Sequence, residues 1–340
     1  MRLTLTPRLS LVLLFIVLLS GLCREALSRT PPQESPIQVP IKTDEHGFII
    51  VPVVVNHTVR GRFLLDTGTT DCLITERFAA KLKANPLATE SHAGWREANG
   101  VRIRTVTLES VRFGGHTLGN IIYRGRRIDN LSYRGQRLRD IVVGGYRLKD
   151  FEYGVVRASQ INLGVDGILG LSALSNTVIA VFPRRHTMEI YPTGNMTPAR
   201  RAAAGFGPAA VRLPLSEDKD EALYFCKVGF SSGGKTDTVD LLFDTGFDIT
   251  SLPASVEKSL HLQPLHEGMT FTFNHQTASY DTVVPLMTVG DLKLSNQPVT
   301  YSLEPPKQGK ADNSLGIDVF KGYSLLIDFP ASVVYLSPIL

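Results

Sequence analysis

Apolar positions along this chain alternate with polar ones or gather in short blocks broken by Gly, Asn and Pro. That period-two pattern predicts strands rather than helices. Phe48-Ile49-Ile50-Val51-Pro52-Val53-Val54-Val55 reads as one strand, Asn56 as a turn, and Gly61 to Leu65 as the returning strand. Only two segments read as short helices, Ile74–Leu82 and Pro253–Leu260. The expected class is all-β. Residues 29–44, carrying Pro31, Pro32, Pro36 and Pro40, are expected to be an extended leader. Residues 196–210, rich in Ala, Gly, Arg and Pro, are expected to link two domains at 45–195 and 211–340.

The two halves repeat one order of elements. Phe63-Leu64-Leu65-Asp66-Thr67-Gly68-Thr69 returns 178 residues later as Leu241-Leu242-Phe243-Asp244-Thr245-Gly246-Phe247. Each is followed by a Gly, Gly170 or Gly316, after two residues of which at least one is apolar, within Asp166-Gly167-Ile168-Leu169-Gly170 and Asn313-Ser314-Leu315-Gly316-Ile317. Each then closes on a hairpin, running from Val178 to Pro192 and from Leu325 to Pro338. With Asp and Thr at roughly 5% and Gly at about 7%, chance supplies on the order of 0.07 Asp-Thr-Gly tripeptides in such a chain. Two copies in matching surroundings indicate internal duplication.

One segment has no equal in the second half. Residues 111–150 hold four ten-residue units, each an aromatic or Val, a Gly turn, and an apolar residue after it. Each reads as strand, two-residue turn, strand. The second half has a single degenerate copy, Met287 to Asn296. The units are basic, with Arg124, Arg126, Arg127, Arg134, Arg137, Arg139 and Arg147 among them. Two readings stay open: charges that keep a ribbon edge from aggregating, or a docking surface for an acidic partner or anionic lipid.

The N-terminus reads as an export signal at 1–28. Arg2 and Arg8 precede an apolar run from Leu9 to Leu22, shorter than a bilayer span needs, and Ala26-Leu27-Ser28 fits a cleavage site. Export to the periplasm or outside the cell follows, with an uncleaved anchor as the alternative. Formal net charge is only +4, which does not argue for nucleic acid. Of three Cys, Cys23 lies at the signal; Cys72 and Cys226 are expected as small buried hydrophobes rather than a disulfide framework. The eight His show no metal-ligand spacing, so no metal or other cofactor is expected.

The paired Asp-Thr-Gly motifs carry the chemistry. Two facing carboxyls that cannot both ionise supply a base to activate water and an acid to protonate a carbonyl oxygen. At these residues the chain resembles the aspartic proteases of the retropepsin-like and pepsin-like type, with two retropepsin-sized halves fused. The resemblance covers roughly 45–195 and 210–340. It implies a bilobal acid-protease fold of two pseudo-twofold-related β-barrel lobes, here with the hairpin of the first lobe expanded. It also implies an aspartic endopeptidase acting on peptide or protein, and a monomer, since duplication supplies what a retropepsin gains by dimerising.

Carried over residue by residue, the resemblance makes Asp66 and Asp244 the catalytic pair. Gly68 and Gly246 allow the tight turns, and Thr67 and Thr245 become hydroxyls that cross between the lobes. Thr69 becomes a donor to Asp66. The matching position is Phe247, which cannot donate through its side chain. Asp244 is therefore expected to be the less stabilised anion, with a raised pKa. The resemblance further places a flap at Gly94 to Gly100. There Asn99-Gly100 is a hairpin turn signal, and Trp95 either packs on substrate or anchors the flap. Phe273-Asn274-His275-Gln276 is the second-half counterpart, with His275 expected in the turn. The rival reading is a protease-like binding module with weak or no turnover, using the cleft and the Arg-rich ribbon.

Overall fold

The computed structural model describes residues 35–55, 59–70, 72–81, 164–191, 196–218, 222–272, 275–302 and 313–339, and the backbone of 94–98, 101–107 and short strands between 111 and 156. The proposed signal, Asn99, Gly100 and the side chains of Trp95 and of the Arg-rich units lie outside the described residues. Strands dominate. The part from Pro36 onward is one compact unit.

The first half forms a nine-stranded sheet. Ile49–Val55 pairs antiparallel with Val59–Leu65, as the apolar blocks predict. Gly167–Leu169 then lies parallel to Val59–Leu65, Leu64 opposite Ile168 and Leu65 opposite Leu169. The second half repeats this. Lys235–Phe243 has Ser314–Leu315 parallel to its end, Leu242 opposite Ser314 and Phe243 opposite Leu315. The helices run Glu76–Lys81 and Ala254–Leu260. The first is capped by Thr75, whose Oγ1 accepts the Phe78 N–H at 3.1 Å. Under each loop an aromatic pair packs edge to face, Phe63 on Phe78 at 5.5 Å and Phe243 on Phe320 at 5.4 Å.

The halves share strands in the second, thirteen-stranded sheet. Its first six strands run Ile37–Pro40, Thr187–Tyr191, Val178–Phe182, Tyr323–Asp328, Val333–Pro338 and Val211–Asp218. The closing hairpins of both halves thus sit side by side, with Ile179 opposite Ile327. Val178, Ile179, Ala180 and Val181 are fully buried, as a strand covered on both faces must be.

Two segments differ from expectation. Within the expected leader, Ile37–Pro40 is a sheet strand paired with Thr187–Ile190, and Lys42–Thr43 pairs with Ile49–Ile50. Ile37, Val39 and Ile41 are buried while Gln38, Pro40 and Lys42 are exposed. This is the alternation of a half-buried strand, and Pro40 fits because the strand lies at a sheet edge. The expected linker is also built in. Thr197 caps a helix at Pro198–Ala203 by accepting the Arg200 N–H at 3.2 Å. Phe206 is fully buried 5.7 Å from the Phe182 ring, and the Arg201 guanidinium covers Tyr335 at 4.0 Å.

Between residues 121 and 148 three short antiparallel strand pairs are described, Ile121–Tyr123 with Arg126–Ile128, Ser132–Tyr133 with Gln136–Arg137, and Ile141–Val143 with Tyr146–Leu148. In the second half the same place is the tight turn between His275–Val289 and Leu292–Tyr301. There Gly290 takes φ +55, and a Cβ would strike the Arg212 carbonyl.

Candidate active site

Asp66 and Asp244 each end an apolar strand, and each is pinned from behind by the parallel partner strand. The Asp66 N–H donates to the Leu169 carbonyl at 3.0 Å, and the Asp244 N–H to the Leu315 carbonyl at 3.1 Å. The loops then return by matching bonds, Leu171 N–H to the Thr69 carbonyl at 2.9 Å and Ile317 N–H to the Phe247 carbonyl at 2.8 Å. These bonds fix the equivalences Thr69 with Phe247 and, through the strand register, Ile168 with Ser314.

The threonines bind the two loops together. Thr67 Oγ1 donates to the Phe243 carbonyl at 2.7 Å and accepts the Thr245 N–H at 3.0 Å. Thr245 Oγ1 donates to the Leu65 carbonyl at 2.9 Å and accepts the Thr67 N–H at 3.2 Å. Both side chains are buried, so four buried backbone groups depend on two hydroxyls.

Each glycine faces the opposite carboxyl. A Cβ on Gly68 would run into the Asp244 carboxyl, and one on Gly246 into that of Asp66. The bare backbone is what lets the loops close on one another, and the two carboxyls are hydrogen-bonded to each other. Each also accepts a bond from its own loop, Gly68 N–H to Asp66 Oδ1 at 2.8 Å and Gly246 N–H to Asp244 Oδ1 at 2.9 Å.

Beyond that the symmetry ends. Burial pushes the Asp66 carboxyl well above the ordinary carboxylate range, and the adjacent Asp244 charge pushes it further; the Gly68 and Thr69 N–H groups pull it back. The bond expected from Thr69 therefore comes from its backbone. Asp244 is also raised, by burial, and is pulled back by the Gly246 N–H, the Ser314 hydroxyl and Asp66. Ser314 Oγ donates to Asp244 Oδ2 at 3.0 Å. The expectation that Asp244 is the poorly supported anion is thus corrected. Its raised pKa comes from desolvation, and a side-chain donor reaches it from another strand. Ser314 carries no motif; only its register match with Ile168 marks it.

The other expected residues are placed as follows. Gly94–Ala98 and Val101–Thr107 form a hairpin with Ala98 opposite Val101, and Trp95 stands opposite Arg104 in register. His266–Thr272 and His275–Asp281 form its counterpart, with His275 opening the returning strand rather than sitting in the turn. Cys72 and Cys226 are buried. Cys72 lies beneath the first loop, where its Sγ accepts the Gly170 N–H at 3.2 Å. Burial pushes the Cys226 thiol up to about 12, which makes it a poor nucleophile.

Two family models match the chain, one in each half. Residues 51–124 match the family described as "gag-polyprotein putative aspartyl protease". Residues 228–319 match the family described as "Aspartyl protease". The chain carries two aspartyl-protease domains, one in each lobe of a mostly β protein. Among solved structures it is similar to conglutin gamma, a basic 7S globulin from lupine seeds. Identity is 12% over 89% of this chain and 95% of that one, with a TM-score of 0.48. No curated protein matches the chain.

Proposed function

We propose that this protein is an aspartic endopeptidase in which Asp66 and Asp244 share one proton. The observation that carries the reading is the hydrogen-bonded carboxyl pair, held by equivalent loops in a site that raises both pKa values. One carboxylate draws a proton from a water placed between the pair, and that water attacks the scissile carbonyl carbon. The other carboxyl gives its proton to the carbonyl oxygen. The resulting gem-diol collapses as the amide nitrogen is protonated and the C–N bond breaks. The hairpins at 94–107 and 266–281 then serve as covers over an extended peptide.

Each lobe is read as a β-barrel, and residues 111–150 as a tandem expansion of one hairpin, available to an acidic partner. The chain acts as a monomer exported through residues 1–28. The rival, a binding module without turnover, drew on the missing donor at Phe247; Ser314 removes much of that support. Cleavage of a peptide library from pH 3 to 8 by the purified protein, lost in both Asp66→Asn and Asp244→Asn, is the expected result. A folded wild type that cleaves nothing, with or without its N-terminal segment, overturns the reading.

A further inference from the structure

The two lobes support their carboxyls from different positions, the first from the loop through the Thr69 N–H and the second from the partner strand through the Ser314 hydroxyl. In the first lobe the loop residue is Thr69 and the partner-strand residue is Ile168; in the second these are Phe247 and Ser314. Ser314 is 5% exposed and is fixed by its pairing with Leu242 and by the adjacent Leu242 N–H to Asn313 carbonyl bond at 3.0 Å. Its hydroxyl takes Oδ2 of Asp244 at 3.0 Å while the Gly246 N–H takes Oδ1 at 2.9 Å. Each oxygen of Asp244 thus has its own donor. Among the described residues, the charged group set against this carboxyl is Asp66, and its donors are the neutral Gly246 N–H and Ser314 hydroxyl.

We propose that Ser314 is a positioning residue that holds Asp244 as the charged member of the pair and leaves the shared proton on Asp66, replacing from a neighbouring strand the donor that position 247 lacks. The proposal rests on the protease reading for its kinetic consequence, though not for its electrostatic one. A donor to one carboxylate lowers the cost of charge there and, through the shared site, raises it at the other.

The test compares wild type, Ser314→Ala, Phe247→Thr and the double variant in two readouts. One is the pH profile of kcat/KM on a cleaved peptide. The other is a direct titration of the Asp carboxyl carbons by 13C NMR, which needs no turnover. Ser314→Ala should move the acidic limb, and the lower carboxyl titration, upward by about one to two pH units, the size of a hydrogen bond to a charged group, with KM unchanged. Phe247→Thr in the presence of Ser314 should leave the limb in place. In the double variant the introduced loop hydroxyl should restore much of the shift. A folded Ser314→Ala with unmoved limb and titration overturns the proposal. So does Phe247→Thr alone lowering the limb as far as Ser314→Ala raises it, and a large lowering by Phe247→Thr counts against it even if Ser314→Ala does not fold. A wild type that cleaves nothing, yet shows the NMR shift on Ser314→Ala, sinks the protease reading and leaves the Ser314 assignment standing.

Discussion

Thr67 and Thr245 exchange backbone bonds across the two lobes, each hydroxyl accepting the other residue's N–H, at 3.0 and 3.2 Å, and donating onward to a carbonyl beside the opposite loop. Replacing Thr67 by Val keeps the shape and strands the Phe243 carbonyl and the Thr245 N–H. An unsatisfied buried polar group costs about 1–3 kcal/mol, so Thr67→Val and Thr245→Val should each lose on that order or more in urea unfolding. Thr67→Ser, which keeps the hydroxyl, should lose far less. Equal losses for Ser and Val would show that the methyl packing, not the bonds, carries the stability.

Gly68 and Gly246 leave room for the opposite carboxyl. Gly68→Ala should push Asp244 out of line, and Gly246→Ala should do the same to Asp66. A displacement of about 1 Å at reacting groups costs on the order of 10²-fold in rate. Both variants should therefore lose at least that in kcat on any peptide the wild type cleaves. Wild-type turnover in a folded Gly68→Ala would contradict the close approach of the loops.

The raised carboxyls bear on stability with a definite sign. A carboxyl whose folded pKa lies above its unfolded value binds its proton more tightly in the folded state. Its contribution is fully present below the ordinary carboxylate pKa and is lost as pH rises through the folded pKa. Asp66→Asn and Asp244→Asn remove a buried ionisation. Both should melt above the wild type at pH 7 and near the wild type at pH 3. A lower melting temperature for both at pH 7 would show that the carboxyls stabilise the fold as anions.

Phe206 sits in a segment rich in Ala, Gly, Arg and Pro, yet it is fully buried against Phe182. Phe206→Ala should cost about 3–5 kcal/mol, as for other buried aromatics. Thermal unfolding of the variant would decide the matter. A change within about 0.5 kcal/mol, as for a surface site, would mean that residues 196–210 are only a tether.

Much of the architecture was legible because its determinants are local. Leu241-Leu242-Phe243 announces a buried strand, the Asp-Thr-Gly that follows announces a turn, and the helix expected from Ile74 is present, though it starts at Glu76 after a strand at Cys72–Thr75. What escaped notice depends on partners distant in sequence. Ile37-Gln38-Val39-Pro40 has a strand's alternation, but nothing nearby says that Thr187–Ile190 lies beside it. Phe206 is one aromatic among alanines and glycines. Ser314 is a serine on a two-residue strand, and its meaning exists only relative to Ile168, Phe247 and the carboxyl it touches. The prolines of the leader pointed the other way, towards an unpaired segment, because Pro on an edge strand and Pro in a free segment look alike in sequence.

The pairing of Ile37–Pro40 with Thr187–Ile190 also orders events during synthesis. The first strand of the shared sheet must wait for a partner made roughly 150 residues later, and Val178–Phe182 must wait a similar span for Tyr323–Asp328. Contacts so remote along the chain close slowly. A chain arrested before Tyr323–Asp328 is made therefore presents a fully apolar strand, Val178-Ile179-Ala180-Val181, with one edge bare. Such a chain is a natural substrate for chaperones and for aggregation. In this protein the closing hairpin of the second half is what makes the first half presentable.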